Sequence, residues 1–166
     1  MLFVGGRQSY KNFAFAVACA KEVGKRLLVA GSPLSEKEKQ LVDKELGDDG
    51  CRNVVHPDNK SLNEIYNSVS CLIYPSLYEG FGIPVVEAQK AGCPVIAMGR
   101  SSIPEITGAG GLLLEEASVA EFSDKFRRLA SERETLRDAG FDNSRRFSWS
   151  MMTDQYIDLY RELMKQ

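Results

Sequence analysis

Two glutamates flanking seven residues, Glu79-Gly80-Phe81-Gly82-Ile83-Pro84-Val85-Val86-Glu87, form the most chemically suggestive segment of the chain. Pro84 suits the first turn of a helix, where its missing N–H removes no hydrogen bond. Gly80 and Gly82 keep side chains away from that helix start, so the amides around Gly80, Phe81, Gly82 and Ile83 can face a phosphate. Glu87 falls about one turn inside the helix and Glu79 stays in the loop, so both can turn toward one cleft. A carboxylate accepts two hydrogen bonds from a cis-diol, and such charge-assisted bonds contribute about 1.5–3 kcal/mol each. The set suits a ligand carrying both hydroxyls and phosphates. The plainer reading makes Glu79 a solvated loop residue and Glu87 a partner of the helix dipole.

A second Gly-containing segment, Gly5-Gly6-Arg7-Gln8-Ser9-Tyr10-Lys11, leads from a short apolar run toward a helix. It brings two cations, Arg7 and Lys11, to a place where backbone can approach an anion. It is neither the G-x-G-x-x-G dinucleotide fingerprint nor a P-loop ending in G-K-[ST], and most such cations are solvated surface. The single histidine, His56, lies in a loop and is read as non-catalytic; Tyr10, Tyr74 and Tyr78 are read as packing groups. Cys19, Cys51, Cys71 and Cys93 form no C-x-x-C pair and no His/Cys ligand spacing, so no metal site is expected.

Positioning these segments falls to short apolar strands alternating with amphipathic helices. The strands are Leu2–Val4, Leu27–Ala30, Val54-Val55, Cys71–Tyr74, Pro94–Met98 and Leu112–Leu114; the helices are Lys11–Val23, Glu36–Leu46, Leu62–Val69, Pro84–Ala91 and everything from Val119 to Gln166. Strands separated by helical crossovers must pair in parallel, and apolar runs without alternation are buried on both faces. The expectation is one α/β domain, a doubly wound, Rossmann-like parallel sheet. Ser followed by Glu three residues on marks helix starts at Ser35/Glu38, Ser61/Glu64, Ser102/Glu105, Ser118/Glu121 and Ser131/Glu134, which explains those glutamates structurally. Open α/β sheets bind ligands at the carboxyl ends of their strands, where Gly5–Lys11, His56–Ser61 and Pro75–Gly82 would gather.

Composition narrows the class. The 166 residues are 43% hydrophobic and 27% charged, with a net charge of −2, so a basic nucleic-acid or membrane-binding surface is not expected. No apolar run approaches the roughly 18 residues a membrane span requires, and Met1 leads directly into Leu2-Phe3-Val4 rather than a charged leader. Unpaired cysteines favour a reducing, cytoplasmic setting.

The run Tyr74-Pro75-Ser76-Leu77-Tyr78-Glu79-Gly80-Phe81-Gly82-Ile83-Pro84-Val85-Val86-Glu87-Ala88, continuing through Ala91-Gly92-Cys93-Pro94-Val95-Ile96-Ala97, closely resembles the group 1 (family 4) retaining glycosyltransferases of the GT-B fold. Gly6-Arg7, Lys11-Asn12, Pro104-Glu105-Ile106 and Phe147-Ser148-Trp149 extend the likeness in the same order. It covers essentially all of residues 1–166 but only the C-terminal, donor-binding half of such an enzyme. The resemblance implies a nucleoside-diphosphate sugar as substrate, with no cofactor and no metal. It implies that Arg7 and Lys11 neutralise the diphosphate with help from the amides of Gly80, Phe81, Gly82 and Ile83. Glu87 would hold the ribose, and Glu79 would contact the sugar, stabilising its developing charge or merely positioning it. The stretch from Val55 to Leu62 would lie against the base, although it lacks the glycine common there in the family. A sugar-nucleotide epimerase or a non-catalytic nucleotide-sugar-binding module are the alternatives.

From Trp149 onward, Trp149, Met152, Tyr156, Leu159, Tyr160 and Leu163 share one helical stripe, with Met151, Ile157 and Met164 broadening it. The resemblance implies that this C-terminal helix, 149–166, packs on an N-terminal acceptor domain, and that the chain is inactive without it. An exposed apolar patch is therefore expected on the isolated domain. The acceptor domain could also give the enzyme a peripheral contact with a membrane.

Overall fold

The computed structural model describes residues 1–165. Six parallel strands form one sheet in the order β3-β2-β1-β4-β5-β6, with β1 Leu2–Val4, β2 Leu27–Gly31, β3 Cys51–Val55, β4 Leu72–Tyr74, β5 Val95–Met98 and β6 Gly111–Leu114. Pleating sends alternate residues to opposite faces. Phe3, Ile73, Ile96 and Met98 join one apolar cluster with α1 (Phe13–Glu22), α2 (Glu36–Leu46) and α6 (Val119–Ser144). Leu2, Leu72, Tyr74, Val95 and Ala97 join the other with α3 (Asn59–Ser68), α4 (Ile83–Lys90) and α5 (Ile103–Thr107). The expected doubly wound α/β domain is therefore present, three layers thick. Each of the larger of these buried side chains, such as Phe3, Leu72, Ile73 and Ile96, contributes about 1.5–3 kcal/mol by leaving water.

The strand order creates the site. β1 is followed by a helix on one face and β4 by a helix on the other, so the loops leaving these adjacent strands diverge and open a crevice. Buried polar contacts hold α4 at its edge. Asn143 on α6 donates to Gln89 Oε1 and to the Ile106 carbonyl, each at 2.8 Å, while Gln89 donates to the Thr107 carbonyl. Gly110 and Gly140 meet so closely that a Cβ on Gly110 would stand 2.5 Å from Gly140 Cα.

Several local expectations are corrected. Lys11 does not open a helix: it ends a 3₁₀ turn, Ser9–Lys11, and left-handed Asn12 (φ 53°) separates it from α1. The full capping box forms at Ser35/Glu38. At Ser118/Glu121 the serine caps α6, but the Glu121 carboxylate accepts from the Glu115 and Glu116 amides instead. Asp58, not Ser61, caps α3, because the aspartate already satisfies the Ser61 amide at 2.8 Å and starts the helix earlier. Ser131/Glu134 lies inside α6, where a three-residue spacing simply shares a helix face. Ser102 precedes α5 without capping it, its hydroxyl being used elsewhere. The terminal helical stretch is two helices, α6 and α7 (Trp149–Leu163), broken at residues 145–148 and restarted by the Ser148 cap. Every described residue of α7 is exposed, including Trp149 at 77% and Tyr160 at 62%, so the apolar patch exists.

Candidate functional site

The loops after β1 and β4 are tied across the crevice. The Leu77 amide donates to the Tyr10 carbonyl at 2.8 Å, and Lys11 Nζ meets Glu79 Oε1 at 2.5 Å. Tyr10 and Tyr74 flank the ammonium, their ring centroids 5.4 and 5.6 Å away. Both charged side chains are mostly covered, at 15% and 12% exposure. Burial opposes ionisation of Glu79, but Lys11, Ser76 and Tyr74 outweigh it and hold the carboxyl below its usual range. A fixed cation thus sits beside a fixed carboxylate at the mouth of the switch point.

Gly80, Phe81, Gly82 and Ile83 follow directly. Among the described residues, no backbone group accepts from their amides, while the Glu79 amide is taken by Ser101 Oγ at 2.9 Å. Gly82 adopts φ 109° as the N-cap of α4, and a Cβ there would stand 2.7 Å from Ile103 Cδ1. The positive φ makes glycine the fitting residue there, and a Cβ would also oblige the Ile103 methyl to shift; Gly80 has open space and no such constraint. Pro84 occupies the first turn as expected. The start of α4 thereby presents unpaired N–H groups at the positive end of a helix dipole, an arrangement that favours negative charge.

Glu87 projects from the next turn of α4, exposed, with Tyr66 of α3 donating to its Oε2 at 3.1 Å. Leu62 sits in the first turns of α3, half-buried against the apolar cluster below. His56 is exposed at φ 44°, at the carboxyl end of β3.

Arg7 is placed differently from the other candidates. Its guanidinium lies over the start of α2, with Nε donating to Glu38 Oε1 at 2.8 Å and an η-nitrogen donating to the Pro33 carbonyl at 2.6 Å. Its side chain is 6% exposed, and Nη1 is buried without a hydrogen-bond partner. Burial opposes ionisation of Glu38, yet the Ser35 amide and hydroxyl and Arg7 together hold its carboxyl low. The structure thus gathers Lys11, Glu79, the Gly80–Ile83 amides and Glu87 along one rim, and holds Arg7 in an ion pair with Glu38 at the start of α2.

Three supports escaped sequence reasoning. Ser101, in the left-handed region at φ 48°, both accepts from the Glu79 amide and donates to its carbonyl. Ser102 Oγ lies 2.9 Å from the carbonyl oxygens of both Glu79 and Phe81, which share its single proton. Tyr66 carries the third. The serines stand beside the Pro104-Glu105-Ile106 run, the one available pointer to them. Among the described residues, no group of three or more His, Cys, Asp or Glu side chains is arranged to hold a metal, and no helix is long and apolar enough to cross a membrane.

A cavity of about 600 Å³ adjoins this rim between α4 and α7, lined by Phe81, Ile83, Val86, Glu87, Trp149 and Met152 among others. Phe81 and Phe147 meet edge to face at 5.5 Å, joining the Gly-rich loop to the break before α7.

Known proteins match this chain in sequence and in fold. A family model described as glycosyl transferases group 1 matches residues 1–145. The O-antigen chain mannosyltransferase B of Escherichia coli is 31% identical over 133 residues, covering 75% of this chain and 33% of that protein. A D-inositol 3-phosphate glycosyltransferase of Saccharomonospora viridis is 32% identical over 149 residues, 83% of this chain and 35% of that protein. The chain thus spans about a third of the length of these curated relatives. In fold, sucrose-phosphate synthase of Thermosynechococcus elongatus superposes with a TM-score of 0.86 at 24% identity, over 99% of this chain and 45% of that one. HepE of Anabaena, solved in complex with UDP-glucose, gives 0.82 at 15% identity over 97% and 48%.

Proposed function

The chain belongs to the group 1 glycosyl transferases, and from that premise we propose that it is the donor-binding half of a retaining enzyme that moves a sugar from a nucleoside-diphosphate sugar to an acceptor. The observation that carries the reading is the rim itself: Lys11 beside Glu79, unpaired amides at the start of α4, and Glu87 one turn further on. In the reaction the bond between the anomeric carbon and the diphosphate oxygen breaks, and the electron pair leaves with the nucleoside diphosphate. The acceptor hydroxyl oxygen forms the new bond to the anomeric carbon, and its proton passes to the departing diphosphate oxygen. Positive charge grows on the sugar and negative charge on the leaving group. Lys11 and the helix-start amides are fixed dipoles and charges suited to the leaving group, so no metal is required for that role. Glu79 faces the sugar side, held by its pair with Lys11 and by the Ser101 and Ser102 bonds to its backbone. Glu87 accepts from the ribose hydroxyls, and Leu62 borders the base.

Arg7 joins the diphosphate in this proposal by turning from Glu38, which its unpartnered Nη1 favours. The exposed apolar side of α7 supports docking on an N-terminal acceptor domain, without which transfer would not occur. The free cysteines, three of them buried, support a cytoplasmic setting, with any membrane contact made through the acceptor domain.

A thermal-shift screen of UDP, GDP, ADP and their sugars tests the reading. A nucleotide at 100 times its dissociation constant adds about 2.7 kcal/mol of stability. Stabilisation of the wild type that is reduced in both Lys11→Ala and Glu87→Ala supports the site; no response to any nucleotide, or variants that respond like the wild type, contradicts it.

A further inference from the structure

Glu87 is exposed but not free on its helix. Tyr66 is only 2% exposed, its ring set in the apolar cluster that includes Val85, Val86 and Ala88. Its hydroxyl donates to Glu87 Oε2 at 3.1 Å, with the Pro84 carbonyl at 3.4 Å as the other acceptor in reach. We propose that Tyr66 is a positioning residue that fixes the Glu87 carboxylate for a ribose cis-diol and so sets a preference for ribo- over 2′-deoxyribonucleotides. The inference rests on the donor-site reading above.

A glutamate on an exposed helix face samples several rotamers, and a ligand that needs one of them must supply the ordering. A phenol has one proton, and of the two acceptors in its reach the carboxylate is both nearer, at 3.1 against 3.4 Å, and charged, so it is the stronger partner. Burial, then the Glu87 charge, push the phenol's titration well above its ordinary value, so it stays a donor. With Oε2 held from the protein side, Oε1 and the second lone pair of Oε2 remain for two hydroxyl donors in one fixed orientation. A carboxylate so held cannot swing to find another partner when one hydroxyl is missing. A site built to hydrogen-bond a hydroxyl discriminates strongly against the analogue lacking it.

The test is calorimetric titration of UDP, GDP and ADP, each against its 2′-deoxy counterpart, into the wild-type chain, Tyr66→Phe and Glu87→Ala. The phenylalanine keeps the buried ring and removes only the oxygen. The expected result is tighter wild-type binding of the ribo form of at least one nucleotide, and loss of that preference in Glu87→Ala. Tyr66→Phe is expected to lower ribo affinity about three- to tenfold while leaving 2′-deoxy affinity unchanged. If Tyr66→Phe keeps the preference that Glu87→Ala loses, the inference is overturned and the donor-site reading stands. Equal weakening of both forms makes Tyr66 a packing residue only and overturns the inference as well. A wild type without ribose preference, or without binding, removes the assignment of Glu87 and the inference together.

Discussion

Lys11 Nζ and Glu79 Oε1 lie 2.5 Å apart, joining the loop that leaves β1 to the loop that leaves β4 at the point where the sheet reverses its winding. The pair spans 68 positions of sequence, so it is made only when the two central strands are side by side. Its carboxylate is the first of the two glutamates, and its ammonium is the cation of the rim.

This pair makes stability depend on acid pH. The Glu79 carboxyl titrates lower in the folded chain than the usual 4.5, so between those values the unfolded state binds more protons and stability rises with pH. The contribution is complete above the usual value and is lost as pH falls below it. Glu79→Gln should cost about 1–3 kcal/mol at pH 7, since it leaves Lys11 mostly covered and without its charge partner. Urea denaturation of both proteins from pH 7 down to pH 3 should show the gap closing at the acid end. A gap independent of pH would mean that the ion pair does not stabilise the fold.

The two glycines between the glutamates should behave differently. Gly82→Ala forces a side chain into φ 109° and against Ile103, costing about 1–3 kcal/mol. Gly80→Ala meets open space and should stay within about 0.5 kcal/mol of wild type. Denaturation midpoints compare them; equal losses would show that the loop is arranged otherwise.

Trp149 is the only tryptophan and is 77% exposed on α7. Its fluorescence in the isolated chain should carry the long-wavelength emission of hydrated indole and be readily quenched by acrylamide. Blue-shifted, protected emission would mean that α7 folds back or pairs with another copy.

The thiols should be inert in the native state. Burial pushes Cys19, Cys71 and Cys93 up to about 12 and Cys51 up to about 11. Reaction with an aromatic disulfide at pH 8 should therefore be slow for all four and fast after unfolding. Fast native reaction at any of the three buried positions would contradict the core packing.

Much of the layout was legible because it rests on local chemistry. Apolar runs without alternation mark the buried parallel strands, and Pro84 after Gly82 marks the helix start at the site. Ser35 with Glu38 was read as a capping box, and the structure adds that the same carboxylate holds Arg7, whose direction no sequence pattern specifies. Ser131 and Glu134 mimic a cap because helix interiors share its three-residue spacing. Ser101, Ser102 and Tyr66 were missed for a different reason. Each reaches the site through a contact across 18 to 23 positions, set by how β5 and α3 pack against α4 rather than by neighbours in the chain. The left-handed Asn12 that ends the turn at Lys11 was likewise hidden, since asparagine enters that region without a fixed signal.

The central claim is that one rim binds a nucleoside diphosphate, with the cation reading phosphate and Glu87 reading ribose. Calorimetric titration of nucleoside and nucleoside diphosphate into wild type, Lys11→Met and Glu87→Ala tests it most directly. The account predicts tighter binding of the diphosphate by wild type, loss of that increment in Lys11→Met, and its retention in Glu87→Ala at weaker affinity for both ligands. Equal affinity for nucleoside and diphosphate in wild type, or the same response from both variants, would contradict it.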